Sequence, residues 1–277
     1  MSGTASKWIT GCATGCFLVL LVAGVLAWVG YRWTRGAIER ADQAAAEERQ
    51  LEERFGEVRD FRPPLDDGFS EERFEVFLSI RDQLTPARES LAEVVAGFAP
   101  AHDGGQPTTG WRTAGAGVRL APRVLELGGA RNRALLDNGM GLGEYMWYYS
   151  LAYHAFLGRP PAESELHRYL EERRAAGSTM QVSIGGDLEP DGVAWRQHRD
   201  LLAMLHHLSE DLAADPDANS WRETVDAEVM AVAADPDRVP WQDGLPETLA
   251  AQFEPFGRRI EATYSAATNI FELVTLE

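Results

Sequence analysis

LGEYMWYYSLAYHAFL, residues 142–157, is the densest aromatic segment of the chain, with Tyr145, Trp147, Tyr148, Tyr149, Tyr153 and Phe156 all inside sixteen positions. At about 100° per residue these side chains cover almost the whole circumference of a helix. A helix that is apolar all round is a central one, covered by neighbours on every side. The preceding GMGLGEY, residues 139–145, opens this helix and superficially resembles a phosphate cradle. It lacks a preceding strand, a P-loop lysine and the GxGxxG spacing, so it reads as a C-cap glycine followed by a tight helix–helix turn.

Helical spacing extends outward in both directions. Ser70 is a helix cap, and Phe77, Ile80, Leu84, Ala87, Leu91, Val94 and Phe98 form a stripe at alternating steps of three and four. Thr85-Pro86 inside it makes an N-cap and N1 pair, which predicts two helices meeting at a bend. Residues 99–117 read as a Gly/Thr/Pro loop, and a helix runs from Pro122 to Asp137 before Asn138-Gly139 stops it.

Downstream, residues 162–176 read as a helix, and TMQVSI (179–184) as a short strand or flap, the one convincing period-two stretch. Trp195, His198, Leu201, Leu205, Leu208 and Leu212 share the next helical face. The stripe Leu249, Phe253, Phe256, Ile260, Thr263, Ala267, Ile270 and Val274 predicts one long final helix, kinked at Pro255. LAADPDANSW (212–221) is echoed by VAADPDRVPW (232–241), which reads as a repeated helix-stop device: alanines, a proline-bearing turn, then a tryptophan re-entering the core. We therefore expect an all-α fold, a single N-terminal transmembrane helix followed by an irregular antiparallel bundle of about six to eight helices.

The transmembrane reading rests on CATGCFLVLLVAGVLAWVGY, residues 12–31, which carries no charge. A helix of that length spans about 30 Å, the hydrocarbon thickness of a bilayer. Trp8, Trp28, Tyr31 and Trp33 flank it as interfacial rings, and Arg32, Arg35 and Arg40 follow. The run exceeds a signal-peptide core and ends at arginines. The lipobox-like Ile9–Cys12 precedes its apolar stretch rather than following one, so neither processed form fits. The expected organisation is a short tail over 1–11, a membrane helix over 12–31, a helical stalk over 32–58, a linker over 59–69 and an α-helical domain over 70–277. Along the stalk, Ala37, Ala41, Ala44, Glu48, Leu51, Phe55 and Val58 form a heptad stripe, read either as a coiled-coil seam or as a helix lying against its own domain.

Of the 277 residues, 43 are acidic and 26 basic, for a net charge of −17. Lys7 is the one lysine; beyond Arg40, 22 arginines face 42 acids, a net −20. Such a surface repels phosphate backbones, which excludes nucleic acid as a partner. The arginine-for-lysine bias, with abundant alanine and glycine, points to a GC-rich bacterial genome. Counting charges beside the span would keep the domain in the cytoplasm, yet long domains translocate largely regardless of charge. Both cysteines, Cys12 and Cys16, lie in the span and none in the domain. We expect the inner (cytoplasmic) membrane of a bacterial envelope, with the domain extracytoplasmic.

Chemistry-bearing residues are few. None of the six histidines falls in an HExxH or beside a cysteine, no GxSxG occurs, and no aspartate run matches a calcium loop. No metal or cofactor is expected. His154 and His198 lie in apolar segments and, with Glu144 at the start of the aromatic helix, are the catalytic candidates. Tyr145, Trp147, Tyr148, Tyr149 and Tyr153 are the ligand-binding candidates. Two functional readings remain: a membrane-anchored interaction or scaffold module, with a protein partner or self-association through the stalk, and a ligand-binding or hydrolytic enzyme with a pocket between the aromatic helix and the His198 helix.

Overall fold

Every regular element among the described residues is helical. The computed structural model describes residues 39–66, 68–96, 110–161, 190–215 and 219–273. The apolar run 12–31, the helix expected over 162–176 and the strand expected over 179–184 lie outside these residues. Among the described residues no helix is long and apolar enough to cross a membrane. The chain divides into two compact units, Met1–Gln43 and Ala44–Glu277. In the first, residues 39–43 are described and are helical.

The second unit opens with helical residues 44–55 (α1) and a 3₁₀ turn, Val58–Asp60. Then come α2 (Glu71–Gln83), α3 (Thr85–Ala96), α4 (Gly110–Asn138) and α5 (Leu142–Tyr149), which continues as a π-helix, Ser150–Phe156. The later elements are α6 (Pro190–Ala213), α7 (Asn219–Ala234), α8 (Glu247–Phe253), a 3₁₀ turn Glu254–Phe256, α9 (Gly257–Thr263) and α10 (Asn269–Glu272). They pack as an irregular helical bundle.

The aromatic segment lies at its centre. Tyr145, Trp147, Tyr148, Tyr149 and Tyr153 are all fully buried, ringed by Phe69, Phe74, Phe77, Phe253, Leu201 and Leu205. A smaller apolar cluster joins α3 and α4 through Leu91, Val95, Leu120, Val124 and Leu127, with Phe271 packed on it. The stalk stripe resolves in favour of the chain's own domain where it is described: Ala44, Glu48 and Leu51 are buried and Phe55 packs on the main core. Asn132 donates to the Ala44 carbonyl at 3.3 Å.

Three expectations need correction. α4 starts at Gly110, so part of the supposed 99–117 loop is helix, and Pro122 sits inside it. Trp195 is not on the buried face of α6 but 56 % exposed, lying under the Arg199 guanidinium. The bend at Leu84 does separate α2 from α3 as the Thr85-Pro86 pair predicts. The long final helix does not form. It breaks at the 3₁₀ turn holding Pro255 and again at Tyr264, whose backbone is extended. The second break has a chemical cause: Arg81 and Arg88 both donate to the Thr263 carbonyl, which a continuing helix would have used itself.

The stop device behaves as read in its helix ends, Ala213 and Ala234. Its two tryptophans meet: Trp221 and Trp241 stack at 5.8 Å, and Trp241 in turn meets Trp147 edge-on. Gly139 is the C-cap at φ +64°, with the Met140 amide bonding back to Leu135. The next glycines serve close approach. A Cβ on Gly143 would lie 2.3 Å from the Val58 carbonyl oxygen and 2.7 Å from Phe61 Cβ. Gly143→Ala is therefore expected to lower stability by about 3 kcal/mol, in the upper range for overpacking. Gly257→Ala, which meets Phe156 at an ordinary 3.6 Å, serves as its comparison and is expected to be neutral or slightly stabilising in thermal unfolding.

Candidate functional site

α2 and α3 turn two arginines inward. Phe74, Phe77, Arg81, Leu84, Arg88, Leu91 and Val95 recur at alternating steps of three and four, and all seven are buried. The Arg81 guanidinium, wholly enclosed, donates to Tyr153 Oη at 2.8 Å, Tyr145 Oη at 2.9 Å and the Thr263 carbonyl at 2.7 Å, and forms an ion pair with Glu272. Tyr149 and Tyr153 present their ring faces to it at 5.2 and 5.0 Å. Tyr145 Oη donates to Glu272 Oε2 at 3.3 Å, and Thr268 donates to Oε1 at 2.8 Å. Each nitrogen of Arg81 thus meets an acceptor, as a buried guanidinium requires.

Two further arginines close the same network. Arg88 donates to Thr263, to the Arg81 carbonyl at 2.9 Å and to Thr85 Oγ1 at 3.0 Å. Arg131 donates to the Glu272 carbonyl at 2.8 Å and to Asn132 Oδ1. Burial would depress the Arg81 pKa, but the surrounding phenols reverse the sign and raise it. Arg88 is pulled down to about 10 by burial and by its neighbour Arg81, and so stays charged at neutral pH. Burial also lowers Arg131, against Glu48 and Tyr145.

The catalytic candidates are engaged separately. Arg73 clasps Glu144 with two 2.6 Å bonds, to Oε1 and Oε2, and also donates to the Gly139 carbonyl. His198 Nδ1 bonds the Arg238 carbonyl at 3.0 Å. His154 Nδ1 donates to the Arg159 carbonyl at 2.8 Å, which leaves Nε2 to accept from Gln197 at 3.4 Å. The structure does not bring these three together around a common atom. The ligand-binding candidates likewise face inward: Tyr149 donates to Asn269 at 2.6 Å, Trp147 to Gly68 at 2.8 Å and Tyr148 to Ser70 at 3.5 Å. Tyr145, Tyr149 and Tyr153 surround Arg81, Trp147 and Tyr148 anchor the 68–70 turn, and Arg73 clamps Glu144. Arg81, Arg88, Arg131 and Glu272 escape the sequence reading. Their one signal is that 81 and 88 fall in register with a run of large apolar residues.

A cavity of about 200 Å³ lies against α6 and residues 52–59; it is lined by one residue of the aromatic helix, Met146, and by neither histidine. Arg196, Gln197, Arg199 and Asp200 of α6 form one wall; Glu52, Glu57, Val58 and Arg59 face them; Met146 and Leu273 close the apolar floor. Gln197 connects it to His154. Asp200 is buried and accepts from Arg199 at 2.8 and 2.9 Å; desolvation raises its pKa, against Arg199, Arg59 and Arg196. Among the described residues no group of histidine, cysteine and acidic side chains is placed to hold a metal ion. No protein-family model, curated protein or solved structure matches the chain.

Two outcomes follow from the buried charges. Arg81→Met leaves Glu272 uncompensated and is expected to cost about 3–5 kcal/mol; Arg81→Met/Glu272→Leu should recover much of that in urea unfolding. His154 is held neutral, its pKa pulled by burial from 6.5 down to about 4. Between those values the unfolded chain binds the extra proton, so this group's stabilisation is full above pH 6.5 and falls as pH drops towards 4. The loss reaches about 3 kcal/mol. His154→Gln removes that slope, read as the difference in pH-dependent stability from the parent chain, which cancels the opposing contribution of Asp200.

Proposed function

We propose that this chain is a single-pass bacterial envelope protein, anchored in the inner membrane by residues 12–31, whose acidic α-helical domain is a protein-interaction or scaffold module. The uncharged twenty-residue run with its aromatic flanks and following arginines carries the anchor reading. Support for the scaffold reading comes from how the candidate catalytic groups are used. Glu144 is clamped by Arg73, His154 is buried and neutral, and the tyrosines bind Arg81. Each of these contacts rigidifies the domain. The domain lies on the extracytoplasmic side in this proposal, and a protein partner or second copy is its interaction target; nucleic acid is disfavoured by the net charge.

Self-association through the stalk uses the part of the stripe before Ala44, because Leu51 and the residues after it pack on the chain's own core. A second reading, a ligand-binding domain, is favoured by one observation, the cavity against α6.

The anchor is tested by expressing the full chain and a 32–277 version in a bacterial host and washing membranes with alkaline carbonate. The full chain is expected to stay with the membrane and the shortened one to be released; release of both sinks the anchor. Native mass spectrometry of the detergent-extracted full chain is expected to show a stoichiometric partner or a defined oligomer. A bare monomer counts against the scaffold.

A further inference from the structure

Gln197 and Asp200 stand three residues apart on α6, hence on one face, and both line the cavity. Each is 7 % exposed, yet each keeps an acceptor that its neighbours leave unused. On Asp200, Arg199 donates through Nε and Nη2 to the same oxygen, Oδ1, at 2.9 and 2.8 Å. Arg59 and Arg196 act on the carboxylate through space, but among the described residues nothing donates to Oδ2. On Gln197 the free acceptor follows from His154. The histidine's Nδ1 faces the Arg159 carbonyl and must donate there, so its Nε2 accepts, and the Gln197 group 3.4 Å away is the amide N–H. That orients the amide and leaves Oε1 without a donor among the described residues. Neither oxygen is sealed in: the enclosed polar atoms that lack a partner belong to other residues, such as Ser150 and His207. Both are therefore open to the cavity that their residues line.

A nearly buried acceptor without a donor is costly, and a ligand that donates to it relieves the cost. Three guanidiniums and three carboxylates line the cavity, so it has no net formal charge to offer. An ammonium on Asp200 would also meet the field of Arg59, Arg196 and Arg199, and an anion would meet two bare acceptors. Neutral hydroxyls donate to both oxygens without either penalty. Met146 and Leu273, both nearly inaccessible, give the cavity an apolar floor. At about 200 Å³ it is smaller than the roughly 300 Å³ at which drug-sized sites begin, which suits a single small ring. We propose that this cavity binds a neutral polyol of monosaccharide size, two of its hydroxyls donating to Asp200 Oδ2 and Gln197 Oε1 and its C–H face resting on Met146 and Leu273. The inference rests on the ligand-binding reading and names its ligand class.

The test is saturation-transfer NMR and calorimetric titration of the full chain, in a detergent without a sugar headgroup. The probes are D-glucose, D-galactose, D-mannose and myo-inositol, with D-glucosamine and D-glucuronate as cationic and anionic rings of the same size. At least one neutral probe is expected to bind saturably, and each charged ring at least tenfold more weakly. Asp200→Asn and Gln197→Met each remove one acceptor. Both are expected to weaken the neutral probe at least tenfold in chains whose helical circular dichroism matches the parent. If a charged ring binds as well as the neutral one, or both variants bind like the parent, the polyol inference is overturned while the pocket reading stands. If no probe binds the folded chain, both fall.

Discussion

A guanidinium with no access to water has to be matched completely or the fold cannot hold it. Arg81 sets that condition here. Its partners come from α5 (Tyr145), the π-helix (Tyr153), the end of α9 (Thr263) and α10 (Glu272), so four separate elements must be in register before the charge is satisfied. Thr263 lies 182 residues from Arg81 and Glu272 farther still, which makes this a closure condition rather than a local one. Buried ion pairs are poor sources of net stability, because desolvation offsets most of the attraction. Their stronger effect is to penalise every arrangement that leaves a charge unpaired. Thr263 and Glu272 are therefore pinned by α2, α3 and α4 together, and the segment between them is a fixed part of the core.

The π-helix is the backbone's answer to the same demand. Tyr145, Tyr149 and Tyr153 all reach the Arg81 network, yet in a straight α-helix each step of four residues rotates the side chain by about 40°. A π-turn holds roughly 4.4 residues, so a step of four falls short of a full turn instead of overshooting it. The α-helical step from 145 to 149 and the π-helical step from 149 to 153 thus rotate in opposite senses and bring the third tyrosine back over the arginine. The same segment ends with Leu157 bonding to Ala152 and Arg159 to Tyr153, which seats the Arg159 carbonyl against His154.

The helical class, the central place of residues 142–157, the bend at Leu84 and the Gly139 cap were legible because each follows from local spacing or from a residue with one conformational use. The core polar network was not. On α2 and α3 the expected stripe members Phe77, Ile80, Leu84 and Leu91 are buried, but so are Phe74, Arg81, Arg88 and Val95, while Ala87 and Val94 are only partly buried and Phe98 lies outside the described residues. A hydrophobicity pattern skips an arginine at a core position because burial of that charge is allowed only by partners elsewhere in the chain. The final stripe from Leu249 fails for a related reason: its spacing is helical, but two distant arginines capture the Thr263 carbonyl. For the site, the cavity against α6 is lined mainly by charged residues that no sequence pattern marks. Charged residues on an acidic chain are too common for any one to stand out before the fold selects them.

That selection leaves acids such as Glu48, Asp200 and Glu272 buried as well as the core arginines. The domain's core is held by Arg81, Arg88 and Arg131, while its sequence beyond Arg40 carries a net −20. The excess acid must therefore lie mostly at the surface, where water and salt screen it beyond about 10 Å. On the membrane-anchored reading this charge opposes contact with an anionic leaflet, since the forces that draw basic segments to lipid act in reverse on acidic ones. On the same reading residues 32, 35 and 40 are the arginines nearest the bilayer, and every acid but Glu39 follows them. On that reading, the attraction of these arginines to lipid and the repulsion of the acid-rich chain from it act in opposite directions along the sequence.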